Sequence, residues 1–183
     1  MMSEHAEVER NYLEEGGLQF VSQGKVRDTY ALPDHDDLLL FMTSNRISSH
    51  DFVLSAEVPG KGQLLNAMSI FWKTKVLQNV CANDIVAFGS GIDEYLPEPL
   101  QGDMDAQSRG VIARKLKMLP IECVVRGHLT GGGWRSYRKD RTVCGVKLPP
   151  DLHDGSQLPH LIFTPTTKAQ QGHDEPLDSG EVT

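Results

Sequence analysis

The sequence predicts an α+β fold, built mainly of antiparallel sheets with flanking helices. Two β-rich runs flank a turn-rich middle within residues 18–44, which is typical of an antiparallel sheet. Apolar residues then recur at helical spacing over residues 63–80. A change of composition near Pro120 indicates two lobes, residues 1–119 and 120–183.

Composition excludes several classes of protein. The chain has 183 residues, of which 39% are apolar, enough for an ordinary packed core. It has 18 Lys and Arg against 25 Asp and Glu, and no basic stripe, which argues against nucleic acid as the main partner. We find no apolar run long enough to span a bilayer and no signal-like N-terminus, so we expect a cytoplasmic protein. Cys81, Cys123 and Cys144 are widely spaced, which predicts reduced structural thiols rather than disulfides or a zinc site.

The remaining elements follow in chain order. A short acidic helix is expected before Gly16, and the helix over residues 63–80 should pack on the sheet. Within that helix we expect Phe71 and Trp72 to lie in the core rather than to contact a cofactor. Further strands are expected at residues 85–88, 110–116 and 121–125, with a loop over residues 89–108.

The segment GKVRDTY could receive phosphate groups. If it is a strand, alternation places Lys25, Arg27 and Thr29 on one face, so two cations follow Gly24 on the same side. It is not a P-loop, because neither Ser nor Thr follows Gly24-Lys25 and no glycine lies five residues upstream. A solvated strand face is the alternative.

The stretch from Lys115 to Trp134 has the pattern of a binding site. After Pro120 an apolar strand ends at Arg126, which leads into a glycine-rich turn at Gly131–Gly133. A strand within a sheet gives a charge at its end a fixed direction, and glycines let a ligand approach the backbone closely. The alternative is a surface turn with a solvated arginine.

Two polar segments are further candidates. Residues 43–51 are rich in hydroxyl groups, which suit a helix cap or a turn as well as a ligand loop. In residues 163–176, Lys168 follows three threonines and precedes His173, Asp174 and Glu175. These groups supply a cation, a potential base and oxygen ligands of the Mg²⁺ type, although a hydrophilic surface loop has a similar composition.

Taken together and in order, five segments closely resemble the phosphoribosylaminoimidazole-succinocarboxamide synthases, or SAICAR synthetases. The segments are GKVRDTY, SNRISSHD, PGKGQLLN, RKLKMLPIECVVRGHLTGGGW and FTPTTKAQQGHDEP, running from Gly24 to Pro176. The resemblance implies two lobes with ATP in the cleft between them. It also implies an Mg²⁺-dependent ligase of de novo purine biosynthesis, which joins carboxyaminoimidazole ribonucleotide to L-aspartate and releases ADP and phosphate.

The resemblance implies a role for each matching residue. ATP would be held by Gly24, Lys25, Arg27, Lys117, Met118, Leu119 and Glu122. The substrates would be held by Ser48, Asp51, Lys61, Arg126, Gly131, Gly132 and Glu175. The catalytic candidates are Lys168, His173 and Asp174, and the Mg²⁺ candidates are Asp174 and Glu175. The implied partners are small molecules, not nucleic acid or a membrane. The oligomeric state is not predicted, and it could be a monomer or a dimer.

The chain departs from the family pattern in two places. Many relatives carry serine at the position of Gly132, which would remove one hydroxyl contact to the nucleotide. Family members also continue through a VDTKFEFG-like strand and a DSSR-like motif, so we expect the 183-residue chain to bind ATP poorly and to form little product. The alternatives are a truncated, inactive nucleotide-binding domain of the same family and a phosphotransferase, against which the lack of HRD and DFG motifs argues.

Overall fold

The computed structural model describes residues 4–49, 52–168, 175–180 and 182. The chain forms two compact units, Met1–Leu116 and Lys117–Thr183, which are described separately. The first unit contains α1 (Glu4–Glu15), β1 (Gln19–Gln23), β2 (Arg27–Leu32), β3 (His35–Thr43), β4 (Arg46–Ser49), β5 (Phe52–Glu57), α2 (Lys61–Phe71), β6 (Ile85–Phe88), α3 (Met104–Arg109) and β7 (Gly110–Arg114).

The core of the first unit lies on a five-stranded antiparallel sheet in the order β1-β2-β3-β7-β6. In β2 the buried positions alternate, at Asp28, Tyr30 and Leu32. Tyr30 packs with Leu40 of β3 and with Leu13 of α1 in one hydrophobic cluster. The expected acidic helix and the antiparallel sheet are therefore both present, and the α+β prediction is confirmed.

The prediction of a loop over residues 89–108 is wrong. This segment contains two 3-10 helices, Gly89–Glu94 and Glu98–Leu100, as well as the start of α3. The carboxylate of Asp103 caps α3 by accepting from the backbone N–H groups of Asp105 (2.8 Å) and Ala106 (3.0 Å). Glycine and proline mark turns, but a capped helix of six residues fits between them.

Helix α2 is present and continues as a π-helix at Trp72–Val76, but its expected orientation is wrong. Phe71 and Trp72 are 55% and 51% exposed, and α2 instead buries Gly62 and Asn66. A Cβ at Gly62 would lie 2.6 Å from the backbone oxygen of Thr43, so only glycine permits this approach. Asn66 Nδ2 donates to the carbonyls of Ser108 (3.1 Å) and Gly110 (3.2 Å). The helix therefore packs against the rest of the first unit through the face that carries Gly62 and Asn66.

The second unit contains β8 (Ile121–Glu122), β9 (Val125–His128), α4 (Gly131–Asp140), β10 (Thr142–Val143), β11 (Val146–Lys147), β12 (Gln157–Phe163) and β13 (Thr166–Thr167). The expected strand over residues 121–125 is two strands, because β8 pairs with β13 whereas β9 pairs with β12. A separate core forms around Leu129, Tyr137 and Ile162. Tyr137 Oη donates to Pro149 O (2.8 Å) and so ties α4 to the following loop.

The three cysteines are free, as predicted. Cys81 and Cys123 are exposed, so the expectation that they pack as structural thiols is wrong, and Cys144 is partly buried. None of the helices in the described part of the chain is long and apolar enough to cross a membrane.

Candidate functional site

A pocket of about 280 Å³ lies in the second unit, beside the start of α4. It is lined by Arg126, Gly132, Gly133, Arg135, Ser136, Lys139, Val143, Cys144, Thr164, Thr166 and Pro176. Three of these side chains are cationic, and the lining residues that belong to the described part of the chain include no carboxylate. The pocket therefore suits an anion.

Arg126 is the best-positioned of the three cations. Its Nε donates to Thr164 Oγ1 (3.0 Å), and the same hydroxyl donates to Val124 O (3.1 Å). Thr164 is buried, so it fixes the stem of the arginine from within the unit. Among the described residues the two terminal nitrogens of Arg126 make no hydrogen bond, which leaves the guanidinium fork available to an oxyanion.

The glycines that the sequence places in a turn form the first turn of helix α4 instead. Gly131 has a φ of +53°, a backbone conformation that favours glycine. A Cβ at Gly133 would stand 3.5 Å from Arg126 Cδ, so the helix start lies against that arginine. The first N–H groups of a helix lack intrahelical partners, and Thr130 provides no side-chain cap. This end of α4 therefore adds N–H donors to the pocket wall.

Cys144 also lines the pocket. Burial raises the pKa of its thiol, while the nearby Arg126 charge lowers it and Asp178 raises it. Its Sγ lies 3.6 Å from Pro165 O and donates to it. The side chain therefore contributes a neutral thiol to the wall. No site role was predicted from the sequence for Cys144, Arg135, Ser136 or Lys139.

Glu122 and Lys168 form an ion pair. The pairing of β8 with β13 sets Thr166 opposite Glu122 and brings the two charges together. The sequence assigns them to different tasks, adenine binding and catalysis, so their contact is a new feature. The two apolar adenine candidates, Met118 and Leu119, are 82% and 69% exposed.

In the first unit, Lys25 lies in the turn between β1 and β2, not on a strand face, whereas Arg27 opens β2. Gly24 N donates to Arg27 O (2.7 Å) and closes that turn. The guanidinium of Arg27 lies 5.5 Å from the ring centroid of Phe41. The predicted shared face of Lys25, Arg27 and Thr29 is wrong because the strand begins only at Arg27.

The other predicted substrate residues of this unit have structural partners. Lys61 Nζ donates to Arg46 O (2.9 Å). Ser48 lies in β4, opposite Val53 of β5. Arg46, which the sequence analysis did not single out, is buried and holds both Asp28 and the Gly24 carbonyl.

Three predicted site residues, Asp51, His173 and Asp174, lie outside the described residues. Glu175 is described, and its N–H donates to Thr167 Oγ1 (2.9 Å). Within the described ranges no group of three His, Cys, Asp or Glu side chains could hold a metal ion. The described residues therefore do not by themselves form the expected Mg²⁺ site.

Comparison with known proteins gives a consistent result. The family model for SAICAR synthetase matches residues 20–183. The phosphoribosylaminoimidazole-succinocarboxamide synthase of Thermodesulfovibrio yellowstonii is 42% identical over 159 residues, covering 86% of this chain and 52% of that protein. The enzyme of the same name from Maridesulfovibrio salexigens is 41% identical over 168 residues, covering 91% of this chain and 54% of that protein. The chain thus spans about half the length of the curated relatives it matches.

Solved structures give the same family. The SAICAR synthase of Saccharomyces cerevisiae, complexed with SAICAR, has a TM-score of 0.79 and 37% identity, covering 90% of this chain and 54% of that one. A type-2 SAICAR synthetase in complex with ADP has a TM-score of 0.60 at 21% identity and shows a likeness of fold. It covers 88% of this chain and 55% of that one. From these matches and the fold above, the chain belongs to the SAICAR synthetase family.

Proposed function

We propose that this chain takes part in the ATP-dependent ligation of L-aspartate to carboxyaminoimidazole ribonucleotide, giving SAICAR, ADP and phosphate. The observation that carries the proposal is the likeness to the yeast enzyme, which was solved with SAICAR and matches 90% of this chain. The pocket beside α4 supports it, because the three cations among its described lining residues suit an anionic ribonucleotide. We also propose a cytoplasmic location.

The chemistry requires an activated carboxylate. A carboxylate does not react with an amine at neutral pH, so ATP must first transfer a phosphoryl group or otherwise activate it. Cations stabilise the charge that develops during such a transfer, which is the role we assign to Lys25 and Arg27. We assign the segment Lys117–Glu122 to adenine, since its apolar side chains are exposed and free to cover a ring.

Arg126 and the first turn of α4 would hold the phosphate or carboxylate of the ribonucleotide. Arg126 offers a planar fork that its bond to Thr164 holds in place, and the glycines allow close approach of the backbone N–H groups. We assign the ammonium of Lys168 to the reacting carboxylate, with Glu122 orienting it through their ion pair. Mg²⁺ would offset the triphosphate charge, and of its two candidate ligands Glu175 lies in the described part of the chain.

Ser48, Asp51 and Lys61 are proposed to contact the imidazole carboxylate or aspartate. The geometry already constrains Lys61, because its ammonium donates to Arg46 O and only its remaining N–H groups could reach a substrate. His173 and Asp174 stay candidates for the catalytic base and the metal ligand. Their side chains supply the required chemistry, an imidazole that can accept a proton and an anionic oxygen.

A second candidate is a catalytically inactive nucleotide-binding domain of the same family. The observation that favours it is the pocket beside α4, because its three cations could bind an anion without any catalytic step. Such a domain would bind the ribonucleotide in the pocket beside α4 without turnover.

An assay of ADP release separates the candidates. The purified chain is mixed with ATP, Mg²⁺, carboxyaminoimidazole ribonucleotide and L-aspartate, and each substrate is omitted in turn. ADP release that requires both L-aspartate and the ribonucleotide supports ligation. ATP turnover without either substrate would contradict ligation and favour a phosphotransferase. Binding of SAICAR with no turnover favours the inactive domain.

A further inference from the structure

We propose that Arg46 is a positioning residue for ATP. It holds the turn between β1 and β2, residues 24–26, in the conformation that presents Lys25 and Arg27 to the triphosphate. The inference rests on the proposed function, which assigns those two cations to the phosphates of ATP. It adds a buried side chain that acts through the turn rather than on the substrate.

The side chain of Arg46 binds the turn from inside the first unit. Its Nη2 donates to Gly24 O (3.1 Å), and its two terminal nitrogens lie 2.7 and 2.8 Å from the carboxylate oxygens of Asp28. The arginine side chain is 4% exposed. Charge-assisted hydrogen bonds are strong where water is excluded. One planar guanidinium therefore holds the turn and strand β2 in a single relative geometry.

The turn itself is exposed at its first two residues. Its backbone is closed by Gly24 N donating to Arg27 O (2.7 Å). A second contact comes from Ser44 N, which donates to Val26 O (2.8 Å). Ser44 lies two residues before Arg46, so both contacts to the turn come from the segment that leads into β4. The conformation of the turn therefore depends on this segment.

The contact with Asp28 also determines the side of the sheet on which Arg27 lies. Asp28 is buried in β2, and successive residues of a strand point to opposite faces. Arg27 therefore points away from the core, where it is exposed and lies 5.5 Å from the ring centroid of Phe41. By holding Asp28, Arg46 fixes the direction of a cation that we assign to ATP.

The backbone of Arg46 makes another contact, which a side-chain substitution keeps. Lys61 Nζ, a candidate substrate ligand, donates to Arg46 O (2.9 Å), and this carbonyl is present whatever the side chain. Lysine at residue 46 also keeps a positive charge beside Asp28. A single ammonium cannot reproduce the fork that reaches both Asp28 and Gly24 O. Arg46→Lys therefore removes the contact to the turn while sparing the charge and the bond to Lys61.

The test is calorimetric titration of the full 183-residue chain with ATP, and with AMP, which lacks the two outer phosphates. Arg46→Lys should weaken ATP binding about tenfold, as expected for the loss of a charge-assisted hydrogen bond, and AMP binding less than about twofold. Arg109→Lys is the matched control. Arg109 is also a buried arginine with carboxylate partners, but it donates to Thr43 O and not to the turn. It should leave the ratio of the two affinities unchanged.

A double-mutant cycle tests whether Arg46 acts through Lys25. Lys25→Gln should weaken ATP binding, and in that background Arg46→Lys should weaken it less than about threefold further, because both changes affect the same contact with the triphosphate. A merely structural role for Arg46 would give the same factor in both backgrounds and would weaken AMP binding as much as ATP binding.

Amide hydrogen exchange tests the turn without a ligand. In Arg46→Lys the amides of Gly24 and Ser44, which bond to Arg27 O and Val26 O, should exchange about tenfold faster. The amides that pair β3 with β7 should keep their rates. Acceleration spread evenly over the sheet, as general destabilisation or unfolding of the variant would give, would overturn the positioning role.

The outcomes separate this inference from the proposed function. Equal ratios of ATP to AMP affinity in Arg46→Lys and Arg109→Lys would overturn the inference, whereas a loss of ATP affinity in Lys25→Gln would still support the proposed function. If Lys25→Gln leaves ATP binding unchanged, or the parent chain does not bind ATP, the assignment of the turn to ATP fails and the inference fails with it. Titration with SAICAR then tests the ribonucleotide site independently.

Discussion

Arg46 and Asp28 form a buried, two-pronged ion pair. Nη1 of Arg46 lies 2.7 Å from Oδ2 of Asp28, and Nη2 lies 2.8 Å from Oδ1. Their side chains are 4% and 9% exposed, and Nη2 also donates to Gly24 O (3.1 Å). The pair therefore joins the start of β4 to β2 and to the turn that carries Lys25.

Breaking this pair should destabilise the first unit strongly. Asp28→Ala leaves an uncompensated buried guanidinium, so we expect the free energy of unfolding to fall by about 3–5 kcal/mol. Urea unfolding of the variant and the parent chain measures the difference. Asp84→Ala, which breaks the partly exposed ion pair with Lys73, is the control and should cost about 1 kcal/mol or less. Equal costs for the two variants would contradict the structural role of the buried pair.

The orientation of α2 predicts an unusual pattern of mutational costs. Gly62→Ala should destabilise by about 1–3 kcal/mol, because its Cβ would meet a backbone oxygen at 2.6 Å and force the helix outward. Trp72→Gln should cost well under the roughly 3–5 kcal/mol of a buried aromatic, because the side chain is half exposed. Thermal unfolding checks both. If Trp72→Gln is the more costly change, α2 is not docked through Gly62.

Alkaline pH should weaken the first unit through Tyr30. Burial, and then the negative charges of Asp28 and Glu9, raises the pKa of Tyr30 to about 12 from an ordinary value of 10.0. Because the folded state holds this proton more tightly, the contribution is complete below about pH 10 and is lost as the pH rises towards 12. Urea midpoints at a series of pH values should fall more steeply for the parent chain than for Tyr30→Phe. Parallel curves would show that Tyr30 is not the group involved.

The Glu122–Lys168 pair should matter for the site more than for stability. Both side chains are well exposed, so Glu122→Gln should change the free energy of unfolding by about 1 kcal/mol or less. If Glu122 orients Lys168, the same variant should nevertheless lower the rate of aspartate-dependent ADP release, when such release is present, or weaken SAICAR binding. Lys147→Gln, at an exposed lysine of the same unit, is the control. An unchanged rate of ADP release and unchanged SAICAR binding in Glu122→Gln would show that Glu122 does not orient Lys168.

Local patterns predicted the sheet of the first unit well. In β2 the alternation of buried Asp28, Tyr30 and Leu32 follows directly from the period of a strand. For α2 the helical period showed which apolar residues share a face, but not that this face stays exposed. That outcome depends on contacts of Gly62 and Asn66 with residues far along the chain, which periodicity does not encode.

The candidate site was predictable only in part. Arg126 was found because a charge follows an apolar run, although it lies inside strand β9 and not after a strand. Gly131–Gly133 were assigned to a turn, since glycines favour turns over helices. Arg135 and Lys139 carried a signal that was missed, their spacing of four on a helix that begins at Gly131. Thr164, which holds Arg126, lies 38 residues away, and no local pattern indicates that contact.

Calorimetric titration of SAICAR into the chain and its Arg126→Gln variant is the most direct test of ribonucleotide binding beside α4. SAICAR should bind the parent chain, and Arg126→Gln should weaken binding about tenfold or more. Arg138→Gln should leave binding unchanged, because Arg138 is exposed on α4 and is not among the residues that line the pocket. Absence of SAICAR binding, or equal affinities for the Arg126 and Arg138 variants, would contradict the placement of the ribonucleotide beside α4.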